Sequence, residues 1–539
     1  MGQQFQSQSD TEVLLKGYAA LGAAILDKLN GIFAFAIHDH ASGEVFVARD
    51  QLGIKPLYYT EGPQDVAFAS EIKALLHLGV ADREIDMSAI RKYLTFLWCP
   101  GDQTPFSHVK KLDPGAAMII RDGAIVRRWT WWVPPAYQPR AGWTARDCAD
   151  ELRAKVDACV ERQLVSDAPV GSFLSGGLDS SAIVAAARQT APDIRCFTIN
   201  TTEIEEGATD DLPYARAVAA HLGVRLEEIR VGAGDLCARV EEMVRHLDEP
   251  LADPACLNVQ FISELARSQG VKVLLSGAGG DDLLTGYRRH TMLALTSGIP
   301  SPARSLLGRL SSRINPGSAL GRRLNKALYS AGMDGDQRIS RAFAWGPPGI
   351  ADHLLSADTR AAAPADDVFA PLTDLLLENE NLPDVEKCLT LERRFFLADH
   401  NLNYTDKMAM AAGVEVRVPL LDMEMVSFAA EIPVNWKHHL LTPKWIFKQA
   451  EKPRLPLDII NRPKTGFGAP LRRWMRQDMR EMVEALLSPA AINARGLFDA
   501  REVARLREAD RRGEVDGSYT LFAIMCSELW CRSYVDAPR

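Results

Sequence analysis

The chain has 539 residues, of which 47% are hydrophobic, and its charged residues leave a net charge of −8. This length favours two or three domains, since a domain holds roughly 100 to 200 residues. Interspersed charges with an acidic excess give no electrostatic reason to expect a nucleic acid or a membrane as partner. Nine cysteines without a CxxC pattern favour free thiols over a disulfide framework or a zinc site. Together with a polar N-terminus they predict a cytoplasmic protein.

The first part of the chain combines one helix with short strands. The segment SDTEVLLKGYAALGAAILDKL begins with a capping serine, Ser9, and has apolar residues at helical spacing. FAFAIHD, EVFVARD and LYYT read as successive strands separated by glycine-containing turns. Residues 1–135 are therefore predicted to form an α+β unit that is rich in antiparallel strand pairs.

The second part of the chain begins after a predicted linker. Residues 136–147 contain proline and glycine without periodicity, which is typical of a linker. In residues 148–539, helical segments alternate with apolar strands such as RCFTIN. Alternation of this kind predicts a doubly wound parallel sheet, and the fold class is predicted to be α/β.

The segment VGSFLSGGLDSSAIVAAA, residues 170–187, predicts a buried strand, a tight turn and a helix in succession. The paired glycines of the turn allow close approach of a ligand, and the start of the helix favours an anion. Ser175 and Ser180 add hydroxyl donors, whereas the carboxylate of Asp179 repels phosphate unless a divalent cation lies between them. The motif therefore predicts a site for Mg²⁺-bound polyphosphate. It lacks the GxxxxGK[ST] pattern, which disfavours a Walker-type nucleotidase or kinase.

The segment VKVLLSGAGGDD, residues 271–282, repeats this order with an apolar strand, small residues and two carboxylates. Asp281 is predicted to be a second Mg²⁺ ligand opposite Asp179, so that one ion bridges the pyrophosphate oxygens. The alternative is that the paired aspartates form a solvated helix N-cap.

Several segments carry a resemblance to known families. SGGLDSS resembles the pyrophosphate loop of ATP pyrophosphatases, which cleave ATP into an adenylate and pyrophosphate. NGIFAFAIHD, ARDQLGIKPLYY, FASEIKALL and KKLDPGAAMII resemble, in that order, the glutaminase domain of glutamine-dependent asparagine synthetases, and NYTDKMAMAAGVEVRVPLLD resembles a later segment of the same family. The resemblance implies an incomplete N-terminal Ntn-hydrolase-like sandwich and a C-terminal sheet of the ATP pyrophosphatase (adenine nucleotide α hydrolase-like) type with added helices.

The resemblance also implies ATP and Mg²⁺ as cofactors, with Asp179 and Asp281 as the metal ligands. The implied ATP-binding residues are Leu174, Ser175, Gly176, Gly177, Asp179, Ser180, Ile199, Ser276 and Gly277. Lys464, in RPKTGFGAPLRRW, matches a lysine at the adenylate and is predicted to be catalytic together with the two aspartates, with an ordinary surface lysine as the alternative. The implied acceptor pocket contains Ala278, Asp282, Asp406, Glu415 and Arg417, with a structural ion pair as the alternative for Arg417. Asp10 matches an aspartate that binds the amino group of glutamine.

The acceptor site departs from the family pattern. Asparagine synthetases usually carry Glu where this chain has Ala278, and Asp282 replaces another Glu. Alanine can neither help to recognise aspartate nor act as an acid or base. A larger carboxylate, such as a uronic acid or a pathway intermediate, is therefore predicted to be a better acceptor than aspartate.

The N-terminus also departs from the family pattern, in which a cysteine at the very N-terminus attacks glutamine. Here residue 2 is glycine, and the first cysteine is Cys99. A wrongly assigned start, a trimmed chain, and a short protein that takes free ammonia or borrows a partner remain open explanations. A chain without this cysteine is not expected to hydrolyse glutamine.

The resemblance implies an enzyme that forms an amide by adenylating a carboxylate and capturing the acyl-adenylate with ammonia. Its expected partners are a small carboxylate acceptor and glutamine or ammonia, without nucleic acid or membrane, and a homodimer is possible. The alternatives are a lactam- or amide-forming ligase that uses another amine, and a non-catalytic protein that retains only nucleotide binding.

Overall fold

The computed structural model describes residues 4–201, 210–311, 335–346, 349–363, 367–464 and 470–537, together with residues 314, 321, 324–325, 328–329 and 332–333. Its strands are β1 Ala34–Asp39, β2 Glu44–Arg49, β3 Tyr58–Glu61, β4 Val66–Ala69, β5 Lys110–Lys111, β6 Ala116–Arg121, β7 Ala124–Thr130, β8 Val170–Phe173, β9 Arg195–Thr201, β10 Arg225–Val231, β11 Val273–Leu275, β12 Glu415–Arg417, β13 His438–His439 and β14 Thr442–Pro443.

The described α-helices are Asp10–Leu21, Ile72–His77, Met87–Phe96, Ala145–Leu164, Leu178–Thr190, Leu212–Leu222, Ala233–Ala238, Val240–Leu247, Ala255–Ser268, Gly280–Leu284, Arg288–Thr296, Ser301–Ser311, Gln337–Ser340, Ile350–Leu354, Ala357–Ala362, Ala370–Glu378, Asp384–Leu391, Asn403–Ala411, Met423–Glu431, Val434–Lys437, Trp445–Glu451, Leu457–Ile460, Leu471–Arg476, Arg480–Leu486, Pro489–Arg495, Ala500–Arg511 and Ser518–Trp530. Gly22–Lys28, Arg341–Phe343 and Pro419–Leu421 are 3₁₀-helices, and Glu392–Leu402 and Cys531–Val535 are π-helices. Of the helices in the described residues, none is both long and apolar enough to cross a bilayer.

The N-terminal domain consists of two antiparallel sheets, with strand orders β1-β2-β6-β7 and β4-β3-β5. Val47 of β2 belongs to the apolar cluster between the sheets, which also includes Tyr59 of β3. The preceding residue, Phe46, lies on the opposite face with Ile25 and Leu26. This alternation along β2 produces the sandwich that the strand pattern predicts.

The boundary between the two parts differs slightly from the prediction. Thr144 caps the helix Ala145–Leu164. Its side chain accepts a hydrogen bond from the backbone N–H of Asp147, and the carboxylate of Asp147 accepts one from the backbone N–H of Thr144. Because this capping box starts the helix at residue 145, residues 145–147 belong to the helix rather than to the predicted linker.

The C-terminal domain is built on a sheet of five parallel strands in the order β10-β9-β8-β11-β12. The chain proceeds from β8 to β9 and β10 on one side, and it adds β11 and β12 on the other side. Helices cover both faces of the sheet. Cys196 of β9 lies in one apolar cluster and the next residue, Phe197, lies in another, so the strand is buried on both sides. The predicted doubly wound sheet is confirmed, and its strand order reverses between β8 and β11. At such a switch point the carboxyl ends of the strands form a ligand crevice.

Buried charges join the two domains in what we call the interface cluster, which contains Tyr58, Lys111, Asp248, Glu249, Asp399 and Lys407. Lys407 Nζ donates to Tyr58 Oη at 2.8 Å and to the Leu247 carbonyl oxygen at 2.7 Å. Tyr58 Oη in turn donates to Glu249 Oε1 at 2.8 Å. The polar groups of these side chains therefore satisfy one another inside the domain boundary.

Candidate active site

The first loop of the site connects β8 to the helix Leu178–Thr190. Gly176 has a φ of +71°, and a Cβ there would lie 2.4 Å from a neighbouring backbone nitrogen, so the turn requires glycine. The hydroxyl oxygens of Ser175 and Ser180 lie 3.1 Å apart within a hydrogen bond. The loop therefore combines two hydroxyls with the positive end of a 13-residue helix.

The second loop follows β11, and its backbone packs directly against the first loop. A Cβ at Gly277 would lie 2.8 Å from the Ser180 nitrogen, and a Cβ at Gly280 would lie 2.6 Å from Asp179 Oδ1. Both distances are too short for a side-chain carbon, so both positions require glycine for the loops to meet. This contact brings Asp179 and Asp281 together at the switch point of the sheet.

Four charged side chains, Asp179, Asp281, Lys444 and Lys464, form what we call the charge cluster. Lys444 Nζ lies 2.5 Å from Asp179 Oδ2 and 2.6 Å from Asp281 Oδ1, so one ammonium group bridges both carboxylates. Lys464 Nζ lies 2.5 Å from Asp281 Oδ2. Two carboxylates and two ammonium groups therefore balance each other beside the crevice.

The environment shifts the pKa values of these groups in different directions. Burial, followed by the nearby Asp281 carboxylate, raises the pKa of Asp179 despite its contact with Lys444. Burial also acts to raise the pKa of Asp281, but the charges of Lys444 and Lys464 outweigh it and lower that pKa. Although burial disfavours the Lys464 ammonium, the Asp281 and Asp179 carboxylates raise its pKa. Lys464 therefore keeps its positive charge at neutral pH.

A cavity of about 1430 Å³ opens beside the charge cluster. Pockets for a single small ligand hold roughly 300 to 1,000 Å³, so this cavity has room for a nucleotide and a second substrate. The predicted site residues that line it are Leu174, Ser175, Gly177, Asp179, Ser180, Ser276, Gly277, Ala278, Asp281, Asp282 and Lys464.

The wall of the cavity beyond the charge cluster is polar and aromatic. Asn401 Nδ2 donates to Tyr287 Oη at 3.1 Å, and Tyr287 Oη lies 3.5 Å from Asp282 Oδ1. Burial, followed by the negative charge of Glu392, raises the pKa of Asp282 well above its usual range. The Asp282 carboxyl and the Tyr287 hydroxyl therefore form the polar part of this wall.

Three residues predicted for the acceptor pocket lie elsewhere. Asp406 pairs with Lys55 of the N-terminal domain at 2.6 Å, and Glu415 pairs with Arg417 at 2.7 Å. Arg417 Nη1 also donates to the Gln163 carbonyl oxygen at 2.8 Å, and the Arg417 carbonyl oxygen accepts from the Ser276 N–H. None of the three is among the described residues that line the cavity. Their place in the acceptor pocket stays a prediction, and in the structure their charges hold elements of the fold together.

Three other predicted residues lie at or beyond the edge of the site. Gly176 shapes the first loop from behind the cavity wall, and Ile199 follows Thr198 of β9, which lines the cavity. Asp10 is exposed at the first position of the helix Asp10–Leu21. Its contact with glutamine stays a prediction.

Sequence reasoning missed two cations of the site. Lys444 follows the hairpin of β13 and β14, and nothing in the sequence LLTPKWIF distinguishes it from a surface lysine. Arg462 Nη1 donates to the Ser175 carbonyl oxygen at 2.9 Å and so holds the segment of Lys464 against the first loop. The signal for Arg462 was its position two residues before Lys464.

Comparison with known proteins gives matches over both domains. The asparagine synthase family model matches residues 151–532, and the glutamine amidotransferase domain model matches residues 1–132. A putative glutamine-hydrolysing asparagine synthetase of Mycobacterium bovis is 32% identical over 551 residues, covering 99% of this chain and 81% of the relative. Glutamine-hydrolysing asparagine synthetase 1 of Bacillus subtilis is 31% identical, covering 98% and 82%. Amidase chyE of Penicillium rubens is 24% identical, covering 92% and 78%.

The matches agree with the motifs and with the geometry at the switch point of the sheet. They cover the loops after β8 and β11 as well as the antiparallel sheets of the N-terminal domain. The family and the α/β fold class predicted from the sequence are therefore confirmed. The chain belongs to the asparagine synthase family, ligases that use ATP to form amides with ammonia derived from glutamine.

Proposed function

We propose that this protein adenylates a carboxylate in the cavity beside the charge cluster and then converts it into an amide. The observation that carries the proposal is the position of the charge cluster at the carboxyl ends of β8 and β11. In the first step a carboxylate oxygen of the acceptor attacks the α-phosphorus of ATP, and pyrophosphate leaves. In the second step ammonia attacks the acyl carbon, AMP leaves, and a proton is released from nitrogen.

The phosphates of ATP fit the loop after β8. N–H groups at the start of the helix Leu178–Thr190 and the hydroxyls of Ser175 and Ser180 would donate to phosphate oxygens. Gly277 allows the second loop to approach the nucleotide without a side chain in the way. The backbone of Ile199 is proposed to contact adenine at the far end of the same crevice.

The charge cluster fits a divalent cation. Lys444 Nζ lies within 2.6 Å of oxygens from both Asp179 and Asp281, so a single cation can contact both carboxylates. Both carboxylates line the cavity, and Mg²⁺ prefers carboxylate oxygens. We assign Asp179 and Asp281 as the residues that would hold Mg²⁺, which when bound neutralises charge on the pyrophosphate.

Lys464 is proposed to stabilise charge that grows during adenylation. Negative charge builds on the α-phosphate and on the leaving pyrophosphate as the acceptor attacks, and a preorganised cation lowers the barrier. Lys464 keeps its charge through Asp281, yet 42% of its side chain is exposed. It can therefore reach a phosphate oxygen while remaining paired on its other side.

The acceptor is proposed to be a carboxylate larger than aspartate. Ala278 lines the cavity with a methyl group and offers no charge to an α-amino group. The cavity extends to the aromatic side chains of Phe396, Tyr404 and Trp345, which suit an apolar or ring-bearing body. Room beside the nucleotide and aromatic walls together favour a uronic acid or a pathway intermediate.

Ammonia is the proposed nucleophile, taken from solution or from glutamine. All nine cysteines are free and buried. Burial raises the pKa of Cys148 and of Cys159 to about 12, and a buried thiol with a raised pKa is a poor nucleophile. We expect the 539-residue chain alone to use ammonium, and to use glutamine only when a nucleophile is supplied from outside it.

We propose that the protein works in the cytoplasm, because ATP is its substrate and its cysteines are free thiols. Buried thiols of this kind suit a reducing compartment. The homodimer expected from the family resemblance stays a prediction.

The proposed function is tested by incubating the purified chain with Mg²⁺, ATP, ¹⁵N-ammonium and one of several carboxylic acids, including aspartate, a uronic acid and an aromatic acid. We expect pyrophosphate and AMP in equal amounts, and ¹⁵N in an amide of the preferred acid. Release of ADP and phosphate would contradict adenylation. Nucleotide binding without turnover for every acid would favour the non-catalytic alternative.

A further inference from the structure

The proposed function leaves the position of Lys444 unexplained. Its ammonium lies between Asp179 and Asp281, where Mg²⁺ is proposed to bind, and only 7% of its side chain is exposed. If Mg²⁺ contacted the same two carboxylates, it would lie very close to the Lys444 ammonium. Two cations at such a short distance repel each other strongly. Lys444 therefore has to leave this position when Mg²⁺·ATP occupies the site.

The backbone that carries Lys444 has an unusual conformation. Lys444 has a φ of +53°, and Thr285, which lies beside it, has a φ of +68° with a ψ of 155°. A positive φ is uncommon for any residue with a Cβ and is an outlier for a β-branched one. Such strain persists only where the surroundings impose it, and it concentrates at functional sites.

Hydrogen bonds link these two unusual residues. The Lys444 N–H donates to Thr285 Oγ1 at 3.1 Å, and the Thr285 hydroxyl donates to the Lys437 carbonyl oxygen at 2.9 Å. A Cβ at the next residue, Gly286, would lie 1.7 Å from Asp281 Oδ1 and 2.8 Å from Lys444 Cε. The backbone of Lys444 is thus held beside Asp281, and the long side chain reaches both carboxylates from this fixed point.

A further lysine accompanies Lys444 along the cavity wall. Lys448, one turn later on the helix Trp445–Glu451, also lines the cavity. Burial and then the positive charge of Lys444 lower the pKa of Lys448. Positive charge on this side of the cavity suits the phosphates of ATP once the two carboxylates are occupied by a metal.

We propose, building on the proposed function, that Lys444 is an ATP-binding residue that exchanges partners during the reaction cycle. In this structure its ammonium bridges Asp179 and Asp281 and balances their charge. When Mg²⁺·ATP binds, the cation takes the carboxylates and Lys444 turns to a phosphate oxygen. Thr285 is the positioning residue for Lys444, because its hydroxyl accepts from the Lys444 N–H and fixes the backbone that carries the lysine side chain.

The test compares the wild-type protein with Lys444→Met in two calorimetric titrations, one with Mg²⁺ alone and one with Mg²⁺·ATP. Removal of the ammonium should tighten the binding of Mg²⁺ alone about 10- to 100-fold, because no internal cation competes for the carboxylates. Mg²⁺·ATP gains the same freed carboxylates but loses a charge-assisted hydrogen bond to phosphate, which is worth about 10- to 100-fold, so its affinity should rise about 10- to 100-fold less than that of Mg²⁺ alone. Lys452→Met, an exposed lysine that donates to Gln449, should change neither titration.

The titrations separate failure of this inference from failure of the proposed function. If the wild-type protein binds no Mg²⁺·ATP, the proposed function is rejected. If it binds Mg²⁺·ATP and Lys444→Met matches it in both titrations, the role of Lys444 is rejected while the proposed function stands. An equal change of affinity in both titrations would likewise overturn the exchange of partners.

The role of Thr285 is tested separately and covers the case in which Lys444→Met does not fold. Thr285→Val removes the hydroxyl and should weaken Mg²⁺·ATP binding about 2- to 10-fold, the range of one neutral hydrogen bond. Thr285→Ser keeps the hydroxyl and should restore wild-type affinity. Equal affinities for the Val and Ser variants would overturn the positioning role.

Discussion

The charge cluster and the interface cluster consist of the same chemical groups, yet their surroundings differ. Lys407 of the interface cluster is 3% exposed and donates to Tyr58 and to the Leu247 carbonyl oxygen. Lys464 of the charge cluster has a side chain that is 42% exposed, and its partner Asp281 lines the cavity. One set of charges is enclosed inside the protein, whereas the other borders a cavity that a ligand can enter.

The comparison shows that opposite charges in contact do not by themselves mark a functional site. Structural ion pairs also perturb pKa values, so a shifted pKa identifies candidates only. Access to a cavity and loops shaped by glycine distinguish the charge cluster. Substitutions in the two clusters should therefore change different measurements.

The largest effect on stability is expected in the interface cluster. Lys407→Met leaves Asp248 and Glu249 buried without this cation, and breaking a buried charged pair costs about 3 to 5 kcal/mol. We expect a much lower urea midpoint, with Mg²⁺·ATP affinity unchanged in the protein that remains folded. Lys155→Met, which removes a partly exposed pair with Glu424 at 3.1 Å, should cost at most about 1 kcal/mol. A selective loss of nucleotide binding in Lys407→Met would remove the distinction between the clusters.

The charge cluster should respond in catalysis rather than in stability. Lys464→Met should lower the rate of pyrophosphate release about 10²- to 10³-fold, roughly 3 to 4 kcal/mol, because a preorganised charge is lost. Nucleotide affinity should remain nearly intact.

Asp179→Asn should weaken both Mg²⁺·ATP binding and turnover, because it removes a metal ligand. Calorimetry and acceptor-dependent pyrophosphate release measure the two effects, and wild-type turnover by Lys464→Met would show that Lys464 is a surface lysine.

The parts of the site that the sequence predicts are those encoded locally. SGGLDSS and SGAGGDD each follow an apolar strand, and a glycine-rich turn after a strand can be recognised from neighbouring residues alone. The parallel sheet then brings Asp179 and Asp281 together, which follows from the alternation of strands and helices. These inferences need no knowledge of distant contacts.

The parts that the sequence does not predict depend on contacts between distant segments. Lys444 reaches the carboxylates because a left-handed backbone beside Thr285 directs it there, and no local pattern in LLTPKWIF encodes that contact. Glu415 and Arg417 belong to a segment that resembles a family motif, and only this resemblance predicts them in the acceptor pocket. They lie on β12, where the motif maintains the sheet edge rather than the cavity.

A smaller effect is expected from adding a charge to the acceptor side of the cavity. Ala278→Glu supplies a carboxylate that can pair with the ammonium group of aspartate, and a hydrogen bond to a charged group contributes about 1.5 to 3 kcal/mol. The kcat/KM for aspartate should therefore rise about 10- to 100-fold. Ala278→Gln is the matched control, since it has the same size without the charge. Equal kcat/KM values for the two variants would show that charge at position 278 does not select the acceptor.

The smallest effect is expected at Glu415, and it tests whether charges outside the cavity take part in catalysis. The side chain of Glu415 is 42% exposed and forms an ion pair with Arg417, which also donates to the Gln163 carbonyl oxygen. Because such a pair is screened by solvent, Glu415→Gln should change the free energy of unfolding by no more than about 1 kcal/mol. The KM for the acceptor should stay at the wild-type value, whereas Asp282→Asn, in the cavity wall, should raise it. A tenfold higher acceptor KM in Glu415→Gln, without loss of stability, would return Glu415 to the acceptor pocket and show that the cavity wall alone does not define the site.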